Sequence, residues 1–166
     1  MAQISARARA ALLGALSARF NPLLSALAGD YGVDPFTLDF ISVPKSQNVF
    51  LGAIDPSDLE ATTVYKLPVL AVYTSASVNQ RKQLPATFAG IVRMGADVAL
   101  SWRGGSAQQD FESLGDAIED VMNQIANELA QAGWVVTMSM DRSPVKRGQQ
   151  NWYQLLRFSF LFEVLA

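Results

Sequence analysis

The chain contains no cysteine and no histidine. The first absence excludes disulfides, thiolate metal sites and cysteine nucleophiles. The second removes the commonest general base, the Ser–His pair and the most frequent metal ligand. Charge is also scarce: 17% of residues are Asp, Glu, Lys or Arg, against ~25% in a typical soluble domain. The formal net charge of -2 indicates neither a nucleic-acid-coating surface nor an acidic tail. No uninterrupted apolar run reaches the ~18 residues of a membrane span, so no membrane partner is expected. Apolar residues, by contrast, make up 50% of the 166 positions. That length suits one domain, residues 1–166, burying about 70% of its unfolded surface. So apolar a chain with so little charge has more apolar side chains than a monomer of this size hides. The excess is read as surface for other subunits.

The clearest pattern is at the end of the chain. In "RGQQNWYQLLRFSFLFEVLA", Trp152, Leu156, Phe158, Phe160, Phe162 and Val164 share one parity, and Tyr153, Arg157, Ser159 and Glu163 the other. Side chains alternate across a strand, so this is a strand with one apolar face. Leu155, Leu161 and Leu165 interrupt the polar face, which calls for partial cover by helices or by another subunit. Residues 88–103 read the same way. Phe88, Val92, Met94, Ala96, Val98, Leu100 and Trp102 face one side; Ile91, Arg93, Asp97, Ser101 and Arg103 face the other. Gly90 and Gly95 allow bends or bulges there. Residues 64–77 predict a strand with Pro68 inside it, which points to an edge or a bulge. Residues 134–140 predict a short strand, and residues 78–87 and 141–150 predict polar loops.

Two stretches carry helical spacing. Ile4, Ala8, Leu12, Leu16, Phe20, Leu23, Leu24 and Leu27 form a stripe over residues 3–28, with Asn21-Pro22 a site for a kink and Gly29 a stop. The start, "MAQISARARAALLGALSARF", is acid-free and arginine-bearing like a transit peptide. It lacks the compact apolar core and cleavage site of a secretory signal, and is read as an amphipathic helix. The second helix covers about residues 107–132. Phe111, Leu114, Ile118, Val121, Met122, Ile125 and Leu129 lie on its apolar face; Glu112, Asp116, Glu119, Asp120, Asn123 and Asn127 lie on its wet face. Ser106 with Gln109 fits a capping box and Gly133 fits the left-handed C-terminal position. Residues 30–63 are irregular, with Phe36, Leu38 and Phe40 alternating and "DPSDLEA" able to open a helical turn at Ser57. This segment is read as an insertion or an arm packing on a neighbour. The expected fold is α+β: an antiparallel sheet of about four strands packed against two helices, with an irregular insertion after the first helix.

Chemistry-bearing motifs are thin. "SWRGGS" joins a strand to a helix but lacks the lysine and spacing of a phosphate loop, and Asp110 and Glu112 would repel an anion. Asp116 and Glu119 share a helix face, as solvated carboxylates do near a helix start. Oxygen ligands spaced for calcium are lacking. No catalytic residue, cofactor or metal is therefore expected, and the chain is read as not an enzyme. Formal charge alternates in blocks: +3 over residues 1–29, -5 over 30–63, +4 over 64–103, -6 over 104–140 and +2 over 141–166. Such alternation suits complementary faces in head-to-tail assembly.

From Pro68 to Phe162 the chain resembles the tail terminator, or tail completion, proteins of long-tailed bacteriophages. The resemblance rests on "YKLPVLAVYTS", a polar loop, the glycine-bearing strand "FAGIVRMGADVALSW", the acidic helix "DFESLGDAIEDVMNQIANEL", a short strand, a basic hairpin and "YQLLRFSFLFEV". It implies a homo-oligomeric ring, usually a hexamer, that caps the tail tube, ends its polymerisation and joins the head connector. The implied partners are the chain itself, the tube protein, a connector or stopper protein, and genomic DNA passing through the lumen without sequence-specific binding. The implied location is the virion neck, after assembly in the host cytoplasm. Arg81, Lys82, Arg142, Lys146 and Arg147, in the two polar loops, are the expected assembly contacts. The alternatives are another neck, head-completion or baseplate subunit, and a small apolar-ligand domain with Trp102, Trp134 and Trp152 lining a pocket.

Overall fold

The computed structural model describes residues 4–53, 68–81, 88–102, 107–147 and 151–165. The chain runs α1 (Ile4–Tyr31), β1 (Val49–Phe50), β2 (Val69–Arg81), β3 (Phe88–Trp102), α2 (Ala107–Gln131), β4 (Val135–Arg142), β5 (Lys146–Arg147) and β6 (Trp152–Leu165). It is an α+β fold in which one sheet packs against two helices. The sheet order is β1-β2-β3-β6-β4, with β5 also paired to β6. Six strands therefore replace the four expected. The two additions, β1 and β5, are two residues each and carry no alternation for a sequence pattern to reveal. β1 also runs parallel to β2, so the sheet is mixed rather than purely antiparallel.

The long strands follow their apolar parity. Val92, Met94, Ala96 and Val98 on β3 and Leu156, Phe158, Phe160 and Phe162 on β6 are all fully buried. Register pairs Met94 with Phe160 and Ala96 with Phe158, so the inner face is filled by close-packed side chains of unequal size. Both helices pack on that face. α2 buries Phe111, Leu114, Ile118, Val121, Met122, Ile125 and Leu129 in the same core. Trp134 stands edge-on to Phe162 with ring centres 5.7 Å apart, and Trp152 also packs against the core. Tyr31 donates to Asp120 and Arg19 pairs with Glu128, tying α1 to α2.

Several boundaries differ from the expected ones. α1 continues through Pro22 and past Gly29 to Tyr31. Pro22 removes one backbone bond, while the adjacent Asn21 side chain bonds both the N–H and the carbonyl of Leu38. The true stop is Gly32, at φ 67°, with Val33 N–H bonding back to Ala28. Gly133 does terminate α2, at φ 96°; the Trp134 N–H reaches the Leu129 carbonyl. α1 is long and apolar enough to cross a bilayer by composition, yet Leu12, Leu16, Phe20 and Leu24 are fully buried in the core. Pro68 precedes β2 instead of lying within it, and residues 78–81, expected as loop, extend β2 opposite Phe88–Ile91. The bulge falls on β2 between Thr74 and Ala76, not at a glycine of β3. Residues 141–142 and 146–147, also expected as loop, are strand. The turn expected at Ser57 and the caps at Ser106 and Gln109 concern residues or side chains outside those described.

Candidate assembly surface

Because both helices take one face, the other face of the sheet carries no helix among the described residues. Its side chains have odd numbers on β3, β6 and β4. Val135, Thr137, Ser139 and Asp141 on β4 are exposed, Val135 to 51%. Across β2, β3 and β6, Val69, Ala99 and Leu155 form a small buried apolar cluster with Phe50 against it. Between these lies a polar network that sequence parity does not disclose. Tyr73 on β2 donates to Asp97 Oδ2 at 2.8 Å, and Arg157 Nε on β6 lies 3.7 Å from the same oxygen. Register pairs Arg157 with Asp97 on one side and with Asp141 on the other.

Asp97 is 5% exposed despite facing outward. The Tyr73 ring provides part of the cover. It lies directly over Gly95, where a Cβ would collide with ring atoms. Oδ1 of Asp97 has no hydrogen-bond partner among the described residues. Burial raises the Asp97 carboxyl above its ordinary value, opposed by the Tyr73 hydrogen bond and the Arg157 charge. Burial, the bond to Asp97 and its charge push the Tyr73 hydroxyl up to about 12, so it remains a donor. The signal available in sequence was one acid within an apolar strand. Its partners depended on register, which parity alone does not specify.

The expected contact residues divide between the two ends of the sheet. Arg81 closes β2 opposite Phe88, and Lys82 lies outside the described residues. Lys146 pairs with Tyr153, which pairs with Ser101. An extended β3 separates Phe88 from Ser101 by roughly 40 Å. Arg142, Lys146 and Arg147 thus cluster at the end away from Arg81. Arg142 turns inward onto α2: Nη2 meets Asp116 Oδ1 at 2.6 Å and Glu119 Oε2 at 3.2 Å. Arg147 stacks on Trp152, 5.6 Å from the ring centre. Lys146 is exposed and makes no ion pair among the described residues.

Beside Lys146 opens a cleft of about 330 Å³. Ala99 and Leu155 line its apolar part; Asp141, Lys146, Tyr153 and Arg157 line its polar part. The turn from β4 to β5 is held there by Ser143, whose N–H and hydroxyl bond the Leu155 carbonyl and N–H, each at 2.9 Å. The described residues contain no cluster of three metal-ligating side chains. The site therefore offers an apolar recess, charged groups of both signs and the exposed outer side chains of β4, the ingredients of a protein–protein contact. No protein-family model matches the chain, and no curated protein is detectably similar to it.

Proposed function

We propose that this chain is a structural subunit of a bacteriophage neck, a tail terminator that assembles into a ring on the end of the tail tube. The observation that carries the reading is the one-sidedness of the sheet among the described residues: both helices lie on one face, and the other bears charged, polar and apolar side chains. A subunit in a ring needs such a face for its neighbours. The element order β2, β3, α2, β4, β6 also follows the order on which the resemblance rests. Basic residues at both ends of the sheet suit a subunit bridging two different neighbours, the tube on one side and the connector on the other. The expected partners are further copies of the chain, the tube protein and the connector, with DNA in the lumen.

The test is negative-stain imaging of the purified protein, alone and mixed with tail tubes from the phage that encodes it. Rings, or a disc at one tube end with tubes of limited length, are expected. A compact monomer that neither binds the tubes nor limits their growth would overturn the reading.

A further inference from the structure

The segment between α1 and β1 ends in an arm whose tip is Ile41, 97% exposed. The arm is tied at every level. Phe36 and Phe40 lie against Phe20, with ring centres 5.9 and 6.4 Å away. Asn48 bonds the Asp39 N–H and the Thr37 carbonyl. Asp39 Oδ1 accepts from the N–H groups of Ile41 and Ser42, both at 3.1 Å, and Lys45 N–H closes the turn onto Ser42 at 2.6 Å. These bonds hold the Asp39 carboxyl below its ordinary value, chiefly through Ser42. A turn cross-tied in this way presents its tip with little entropy left to lose on binding. Its exposure leaves the Ile41 side chain without packing among the described residues.

The arm leads into β1, at one edge of the sheet. The cleft beside Lys146 lies toward the other edge, where β4 is outermost. The strand ends beside them share one row, which runs from Val49 through Leu70, Val98 and Leu156 to Arg142. A knob on one flank and a recess on the opposite flank form a heterologous pair, which closes into a ring when repeated by rotation. Charge agrees. The arm carries Asp34 and Asp39 with Lys45, while Lys146 and Arg157 outnumber Asp141 in the lining of the cleft. The recess is at the small end of the ~300–1,000 Å³ range of ligand pockets, a size that suits one aliphatic side chain and its flanks.

We infer that Ile41 of one copy seats in the Ala99–Leu155 cleft of the next copy, with the acidic arm facing Lys146 and Arg157. This rests on the ring reading and names its contact. The absence of cysteine from the chain makes the test clean. Ile41→Cys and Lys146→Cys proteins are mixed and treated with a short bismaleimide, with Ser75→Cys, on the exposed edge of β2, replacing Lys146→Cys as control. A covalent dimer of the first pair is expected, with at least tenfold less from the control, and the double variant Ile41→Cys/Lys146→Cys should give a ladder ending at the ring number. Independently, Ile41→Asp should lower the ring population at least tenfold without moving the unfolding midpoint, because the side chain is fully exposed. Rings from the parent without the Ile41–Lys146 crosslink, or rings that survive Ile41→Asp, would overturn the contact and leave the ring reading standing. If the parent forms neither rings nor tube-end discs, the ring reading fails and the contact with it.

Discussion

The two faces of one sheet share every backbone hydrogen bond, so the ladder cannot account for how differently they are built. On the inner face, β3 and β6 present only fully buried apolar side chains, from Val92 to Val98 and from Leu156 to Phe162. On the outer face, the alternating positions hold Arg93, Gly95, Asp97, Arg157 and Ser159. The inner face earns its stability from area removed from water. The outer face keeps a buried carboxylate with one oxygen unpartnered among the described residues, which costs free energy in the isolated subunit. The two environments are thus separated by side-chain parity alone, one residue apart along each strand.

The largest effect should come from exchanging one neighbour for another along β6. Phe160→Ala removes a fully buried ring from between Met94 and Met138 and should cost about 3–5 kcal/mol in denaturant unfolding. Ser159→Ala, next in sequence but outward, should change stability by less than ~0.5 kcal/mol. Equal costs would break the comparison, because the two faces would then carry stability alike.

A smaller effect tests how the outer face covers its acid. Gly95→Ala places a methyl group against the Tyr73 ring and should cost about 1–3 kcal/mol through overpacking. In a Tyr73→Ser background the same change should cost much less, giving a coupling energy of the same order and of opposite sign to the Gly95→Ala cost. Purely additive effects would mean that the glycine serves the backbone and not the ring above it.

These contrasts also explain how far the sequence could be read. The inner positions of β3 and β6, and seven positions on α2, were legible because burial imposes a strict period on them. The end of α1 was placed early at Gly29 because a glycine inside a helix and one beyond it look the same until φ is known; Gly32 holds the positive φ. β1 and β5 were invisible because two-residue strands have no period. The outer face was read only as mixed. Asp97, Tyr73 and Arg157 belong to three strands, and their meeting depends on register. Ile41 was likewise hidden, since the turn presenting it is built from side chains of Asp39 and Asn48 that sequence shows only as polar. Of the five basic residues expected as contacts, Arg142 is tied to α2 by its guanidinium, a pairing across twenty-odd residues that charge counting does not reveal.

The smallest effect is a pH dependence, and its sign follows from the buried carboxyl. Burial is the main cause raising the Asp97 pKa, against the Tyr73 bond and the Arg157 charge that lower it. The native chain therefore keeps this proton over an interval in which the unfolded chain has lost it. Stability contributed at Asp97 is full below the ordinary carboxylate value, falls as pH rises through the raised native value, and is level above it. Asp97→Asn removes the titration while leaving an acceptor for Tyr73. The unfolding free energy of Asp97→Asn minus that of the parent, followed from pH 3 to 7 by urea denaturation, should rise across that interval. Other carboxylates titrate in both proteins and cancel in the difference. A flat difference, or one that falls with pH, would mean that Tyr73 and Arg157 outweigh burial. The outer face would then hold its charge as fully satisfied as the inner face holds its apolar side chains.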